Sequence, residues 1–192
     1  SKDHLKLIRE KEINLWKFAS KFSSKHKIYF KLASRHPVDF GENEFKKKER
    51  YDYEKNLFSE INGENKYFER IDRFRKNFSS YKLAFESELV IASHSTLLLE
   101  SMAIGKKIMC VSRSNSYSSM SINPLMPKDN ISSIYNPTYE EFEDRLLKLL
   151  KLTDEKYSEI FSYKKDYMIF HKKNNLALDI IKLEIEKIVN RD

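Results

Sequence analysis

The chain has 192 residues, 40% hydrophobic and 13% aromatic, enough apolar surface for one domain with a real core. Its formal charge is +7, but lysines and acids interleave over most of the length, as on an ordinary solvated surface. No apolar run approaches the roughly 20 residues that span a bilayer, no signal peptide is visible, and a lone cysteine, Cys110, excludes an intrachain disulfide and a cysteine-based zinc site.

Leu5, Ile8, Leu15, Phe18 and Phe22 recur at helical spacing and predict a helix over 4–24. In residues 27–37, "KIYFKLASRHP", Ile28, Phe30 and Leu32 alternate with Tyr29, Lys31 and Ala33, which predicts a strand. His36-Pro37 ends it, since proline cannot continue a central ladder. The charged stretch 38–66 holds two of the three glycines and reads as an exposed excursion with one short helix. A helix is expected around 67–86, then a strand at 88–92, a helix at 95–104 and a strand at 107–112. Residues 113–136, rich in Ser, Asn and Pro, read as a long loop with a short strand near 131–135. Thr138 and Glu141 form a capping-box pattern before a helix bearing Tyr139, Phe142, Leu146 and Leu149. Thr153 opens another helix, and a last one carries Leu178, Ile181, Ile185 and Ile188.

Alternation of strand and helix implies an α/β fold: a single Rossmann-like domain over 1–192, with one parallel sheet flanked by helices. The strands 27–35, 88–92 and 107–112 are expected in that one sheet, and the C-terminal helices, about 138–190, are expected to pack back on it. In open α/β sheets ligands bind beyond the carboxyl ends of the strands. Ser93, His94, Ser95 and Thr96 fall where the strand 88–92 gives way to a helix, whose free N–H groups and positive dipole end suit a phosphate. Taken alone, such residues also serve as an ordinary N-cap. His36 ends another strand of the same sheet, so its imidazole falls on the same edge, with Pro37 fixing the turn. Glu100, one helical turn beyond Thr96 among Leu97, Leu98, Leu99 and Met102, needs a polar partner. A ribose hydroxyl or a basic side chain would each serve.

Other chemistries lack their signatures. The chain has no GxGxxG, P-loop, HExxH or Gly-x-Ser-x-Gly elbow. His4, His26, His36, His94 and His171 lack metal-ligand spacing, so no metal is expected, and no RNA-binding pattern appears, so no nucleic acid is expected either.

Taken in order, "KLASRHP", "SYKLAFESELVIASHSTLLLESMAIGKKIMCVS" and "PTYEEFEDRLLKLL" resemble the C-terminal half of bacterial surface-carbohydrate biosynthesis proteins. These are glycosyltransferases of the GT-B architecture, similar in pattern to the sialyl-, polysialyl- and Kdo-transferases that use CMP-sugars. The resemblance runs from about residue 27 to the end and is weakest over 38–66. It implies half of a GT-B fold, binding a nucleotide-sugar donor, CMP-linked by preference, with no other cofactor. It assigns His36, Pro37, Ser95 and Thr96 to the nucleotide phosphate and Glu100 to the ribose; Ser93 and His94 join them by position. The acceptor, a glycan or glycolipid, and the general base would belong to an N-terminal domain outside this chain. Ser1 in place of an initiator Met fits a piece of a longer enzyme. The expected workplace is the cytoplasm, with peripheral contact between the basic surface and an anionic membrane. A CDP-glycerol-type polyol-phosphate transferase, a sugar-nucleotide epimerase and a non-catalytic module that kept the fold are the alternatives.

Overall fold

The computed structural model describes residues 2–35, 44–73, 79–93, 95–112 and 131–160. Their order is α1 (Lys2–His26), β1 (Phe30–Arg35), α2 (Glu44–Asn62), β2 (Phe68–Arg73), α3 (Ser79–Glu86), β3 (Leu89–Ala92), α4 (Thr96–Ala103), β4 (Lys107–Ser112), β5 (Ser133–Tyr135) and α5 (Tyr139–Lys151). A further helical segment covers 154–160. All strand pairs are parallel, and the fold is Rossmann-like α/β.

The strands do not form one sheet. β1 pairs with β2 alone, while β3, β4 and β5 make a separate three-stranded sheet in that order. The expectation of a single sheet holding β1, β3 and β4 is therefore corrected. The physical reason lies between β1 and β3, where a cleft replaces the ladder. Lys31, Leu32 and Ala33 of β1 line one wall, and Leu89 to Ala92 of β3 line the other. Leu15 and Trp16 of α1 and Leu83 and Ser87 of α3 line the same gap between the two strands.

Two more expectations change. Residues 67–86 are not one helix: β2 takes the first part and α3 begins only at Ser79. In "FERIDR" the pleat puts Phe68, Arg70 and Asp72 on one face, so side-chain alternation and pairing with β1 outweigh the helical appearance. The stretch 38–66 is more than an excursion with one short helix, because α2 runs for 19 residues. It is anchored by buried Phe58, whose ring meets that of Phe68 at 5.0 Å. Asn62 and Asn65 close the turn that follows: Asn62 Nδ2 donates to the Phe68 carbonyl at 2.9 Å, and Asn65 Nδ2 to Ser20 O at 2.9 Å and Ser23 Oγ at 2.8 Å.

The main core gathers Phe22 of α1, Leu98 and Met102 of α4, Ile108, Met109 and Cys110 of β4, and Phe142, Leu146 and Leu149 of α5. β4 is its centre, paired on both sides and buried through four successive residues from Lys107. The turn from α4 into β4 needs a left-handed residue, supplied by Gly105 at φ +87°. The capping box that opens α5 is present: Glu141 N donates to Thr138 Oγ1 at 3.2 Å, and Thr138 N to Glu141 Oε2 at 2.8 Å. The helix then buries Tyr139, Phe142, Leu146 and Leu149 against the core, so this C-terminal helix does pack on the sheet. The last predicted helix lies outside the described residues.

Candidate functional site

Chain order makes the cleft more than a packing gap. From β1 the chain moves outward to β2, returns through α3 to β3, and then proceeds the other way to β4 and β5. The β1–β3 boundary is thus where the strand order reverses, the place where α/β sheets open a crevice at their carboxyl ends. The cleft, about 280 Å³ in all, runs along β3 from Ser87, and at its carboxyl end Ala33, Ala92, Ser93, Ser95 and Leu97 belong to its lining.

Ser93 follows directly on β3 and is 9% exposed. Its carbonyl lies 4.0 Å from the Cys110 thiol, on the neighbouring strand. Burial pushes that thiol up to about 11, so Cys110 is a packing residue and not a nucleophile. Ser95 is the N-cap of α4: extended at φ −157°, it accepts from Leu97 N through Oγ at 3.2 Å. That bond uses an oxygen lone pair, and the hydroxyl proton remains a donor. Thr96 is the first helical residue. Its side chain, together with all of His36, Pro37 and His94, lies outside the described residues. β1 does end at Arg35, so His36 follows immediately on the strand that forms the opposite wall.

Glu100 faces elsewhere. Its carboxylate accepts a hydrogen bond from Tyr81 on α3, which raises the Tyr81 hydroxyl above its ordinary value, with desolvation and the carboxylate charge adding to the effect. The other oxygen, Oε2, is enclosed and has no hydrogen-bond partner among the described residues. Glu100 is not in the lining of the cleft; it ties α4 to α3.

A second polar cluster escapes sequence reading altogether. Arg70 of β2 is buried to 8% exposure of its side chain, with Nη1 2.8 Å from Asp72 Oδ1. Tyr51 of α2 lays its ring over the guanidinium at 4.5 Å and donates through its hydroxyl to Asp72 Oδ2. Ser34, buried on β1, stands opposite Asp72 in the ladder. The alternating charges of "FERIDR" were the available signal, masked by reading 67–86 as helical. Among the described residues no cluster of His, Cys, Asp and Glu could hold a metal ion, and no helix is long and apolar enough to cross a membrane.

No protein family matches this chain, and neither a curated protein nor a solved structure shows detectable similarity to it.

Proposed function

We propose that this chain is the donor-binding domain of a bacterial glycosyltransferase of GT-B type, taking a nucleotide-sugar at the carboxyl end of the β1–β3 cleft. The observation that carries the reading is the placement of Ser93 and Ser95 at the junction of β3 and α4, in the lining of that cleft. Two hydroxyls and a helix N-terminus supply donors and positive potential where a phosphate would enter. In this reading His36, next in the chain after β1, contributes its imidazole as a further phosphate donor. The preference for CMP-linked sugars and for surface polysaccharide as product rests on the resemblance of the sequence motifs.

In this role the chain's chemistry is electrostatic. Donor phosphates held by Ser93, Ser95, Thr96 and His36 gain negative charge as the glycosidic bond breaks, and donors already aimed at them stabilise that charge. Pro37 and His94, neighbours of these residues in the sequence, belong to the same proposed phosphate site. The acceptor hydroxyl, of a glycan or glycolipid at the cytoplasmic membrane surface, is deprotonated by a base from a domain outside this chain. Glu100, bonded to Tyr81 and outside the lining of the cleft, takes no part in this reading.

Calorimetric titration with CMP, CDP, UDP and GDP tests the proposal. Cytidine nucleotides bind, and His36→Ala weakens them by about 1–2 kcal/mol, the worth of a charge-assisted hydrogen bond. Uridine or guanosine preference would move the reading to another donor class. Absence of binding by all four would leave a module that kept the fold without the nucleotide.

A further inference from the structure

Strand register fixes which backbone groups face the gap between β1 and β3. Phe30 N donates to Tyr67 O at 2.7 Å, so the amides of Phe30, Leu32 and Ser34 turn toward β2. Successive residues alternate, and Lys31 and Ala33 therefore turn theirs the other way. On β4, Cys110 N donates to Ser132 O at 2.7 Å, toward β5, so Met109 turns toward β3 and engages Val90 and Ala92. Leu89 and Ile91 are left facing away from β4. These four residues all line the cleft, and among the described residues no strand is paired to either edge.

Each of the four thus offers an N–H and a C=O to the gap, at every second position on both walls. A peptide strand has donors and acceptors on both of its edges at the same spacing, and an open edge is a template for one. There is room beside these groups. The cleft of about 280 Å³ adjoins a cavity of about 360 Å³ that reaches further toward the amino ends, as far as Ile28 and Glu86. Leu15, Trp16, Leu83, Leu146 and Leu150 from three helices surround it, which suits apolar side chains on the entering strand.

Charge sets the direction. Glu86 and Glu88, 56% and 64% exposed, stand at the amino end of the gap, while their partners Lys82 and Lys107 lie outside the lining. Lys31, beside them, reaches Glu69 at 3.9 Å. The carboxyl end instead has Ser93, Ser95 and the free N–H groups that open α4. We propose that the β1–β3 gap is a docking site for an extended peptide of a partner protein, basic at its amino end, apolar in the middle and acidic at its carboxyl end. It adds a strand parallel to β1 and β3, bonded to Lys31 and Ala33 on one side and to Leu89 and Ile91 on the other, and joins the two sheets into one.

The test uses the full chain and the synthetic peptide Lys-Val-Ala-Val-Thr-Asp, followed by amide NMR and hydrogen exchange. Without peptide the amides of Lys31, Ala33, Leu89 and Ile91 exchange readily; with it they shift saturably and exchange slows by about tenfold or more. The same peptide N-methylated at both valines keeps its side chains and charges but loses two donors, so its apparent Kd rises by about tenfold or more. The reversed sequence, Asp-Thr-Val-Ala-Val-Lys, binds more weakly by a similar factor. Four amides already protected in the free chain would mean that the edges are joined to one another, and would overturn the proposal. So would amides that stay unmoved at millimolar peptide, or an N-methylated or reversed peptide that binds as tightly as the first. CDP is titrated in a separate experiment, so none of these outcomes bears on nucleotide binding at Ser95.

Discussion

Replacing Glu143 with glutamine removes the charge at the centre of the contact between α1 and α5. Its Oε2 lies 2.9 Å from Lys25 Nζ and its Oε1 2.6 Å from His26 Nε2, while the Tyr139 hydroxyl donates to Oε1 at 3.0 Å. Hydrogen bonds from Lys25 and then His26 lower the carboxyl from 4.5 to about 2 against the opposing effect of desolvation. At about 1.4 kcal/mol per pH unit that interval bounds the contribution at roughly 3 kcal/mol. Lys25 is 56% exposed, so screening reduces the realised value to about 1–2 kcal/mol. Because the folded state depresses this pKa, the stabilisation is present above pH 4.5 and is lost as pH falls toward 2. Urea denaturation of wild type and Glu143→Gln at pH 7, 4.5 and 3 reads it directly. The variant is less stable by about 1–2 kcal/mol at pH 7, and the two proteins converge as the solution is acidified. Equal stability at pH 7, or a deficit that persists unchanged at pH 3, would refute the reasoning.

Tyr157→Phe should cost about 1–3 kcal/mol in the same denaturation assay, since the buried hydroxyl accepts from Ile108 N at 3.0 Å and its loss leaves that N–H unmet. Phe142, fully buried between Phe18 and Phe22, should cost about 3–5 kcal/mol when replaced by alanine. A loss below about 1 kcal/mol would show that α5 is dispensable to the core, contrary to its packing.

The β3–α4–β4 unit was legible because its residues are apolar enough to declare their burial. Leu89 to Ala92 and Ile108 to Val111 read as strands directly, and both of them are strands. The α5 start was equally plain, since a capping box is a local device whose two bonds need nothing from the rest of the chain. β2 was not legible. Its charges read as solvent-facing helix until Arg70, Asp72 and Tyr51 are seen to satisfy one another across two elements. The length of α2 was hidden for a similar reason: among its described side chains only Phe58 is buried, so its apolar stripe is faint. Whether β1 and β3 join is a long-range matter that chain order does not decide. Alternating segments predict neighbours, but the structure has a cleft there, with Leu15, Trp16, Leu83 and Ser87 in its lining. The same division runs through the candidate site. Ser93 and Ser95 could be placed from the strand-to-helix boundary alone, whereas the bond from Tyr81 to Glu100 depends on how α3 lies against α4.

The most direct measurement is a two-dimensional amide NMR titration of the wild-type chain with CDP. The account predicts saturable shifts concentrated at Ser93, Ser95, Leu97 and Leu98, with Ala33 responding from the opposite wall, because these positions share one end of one cleft or the helix turn that Ser95 caps. Shifts that map instead to the outer faces of α1 and α5, with the β3–α4 junction unmoved at saturation, would contradict it.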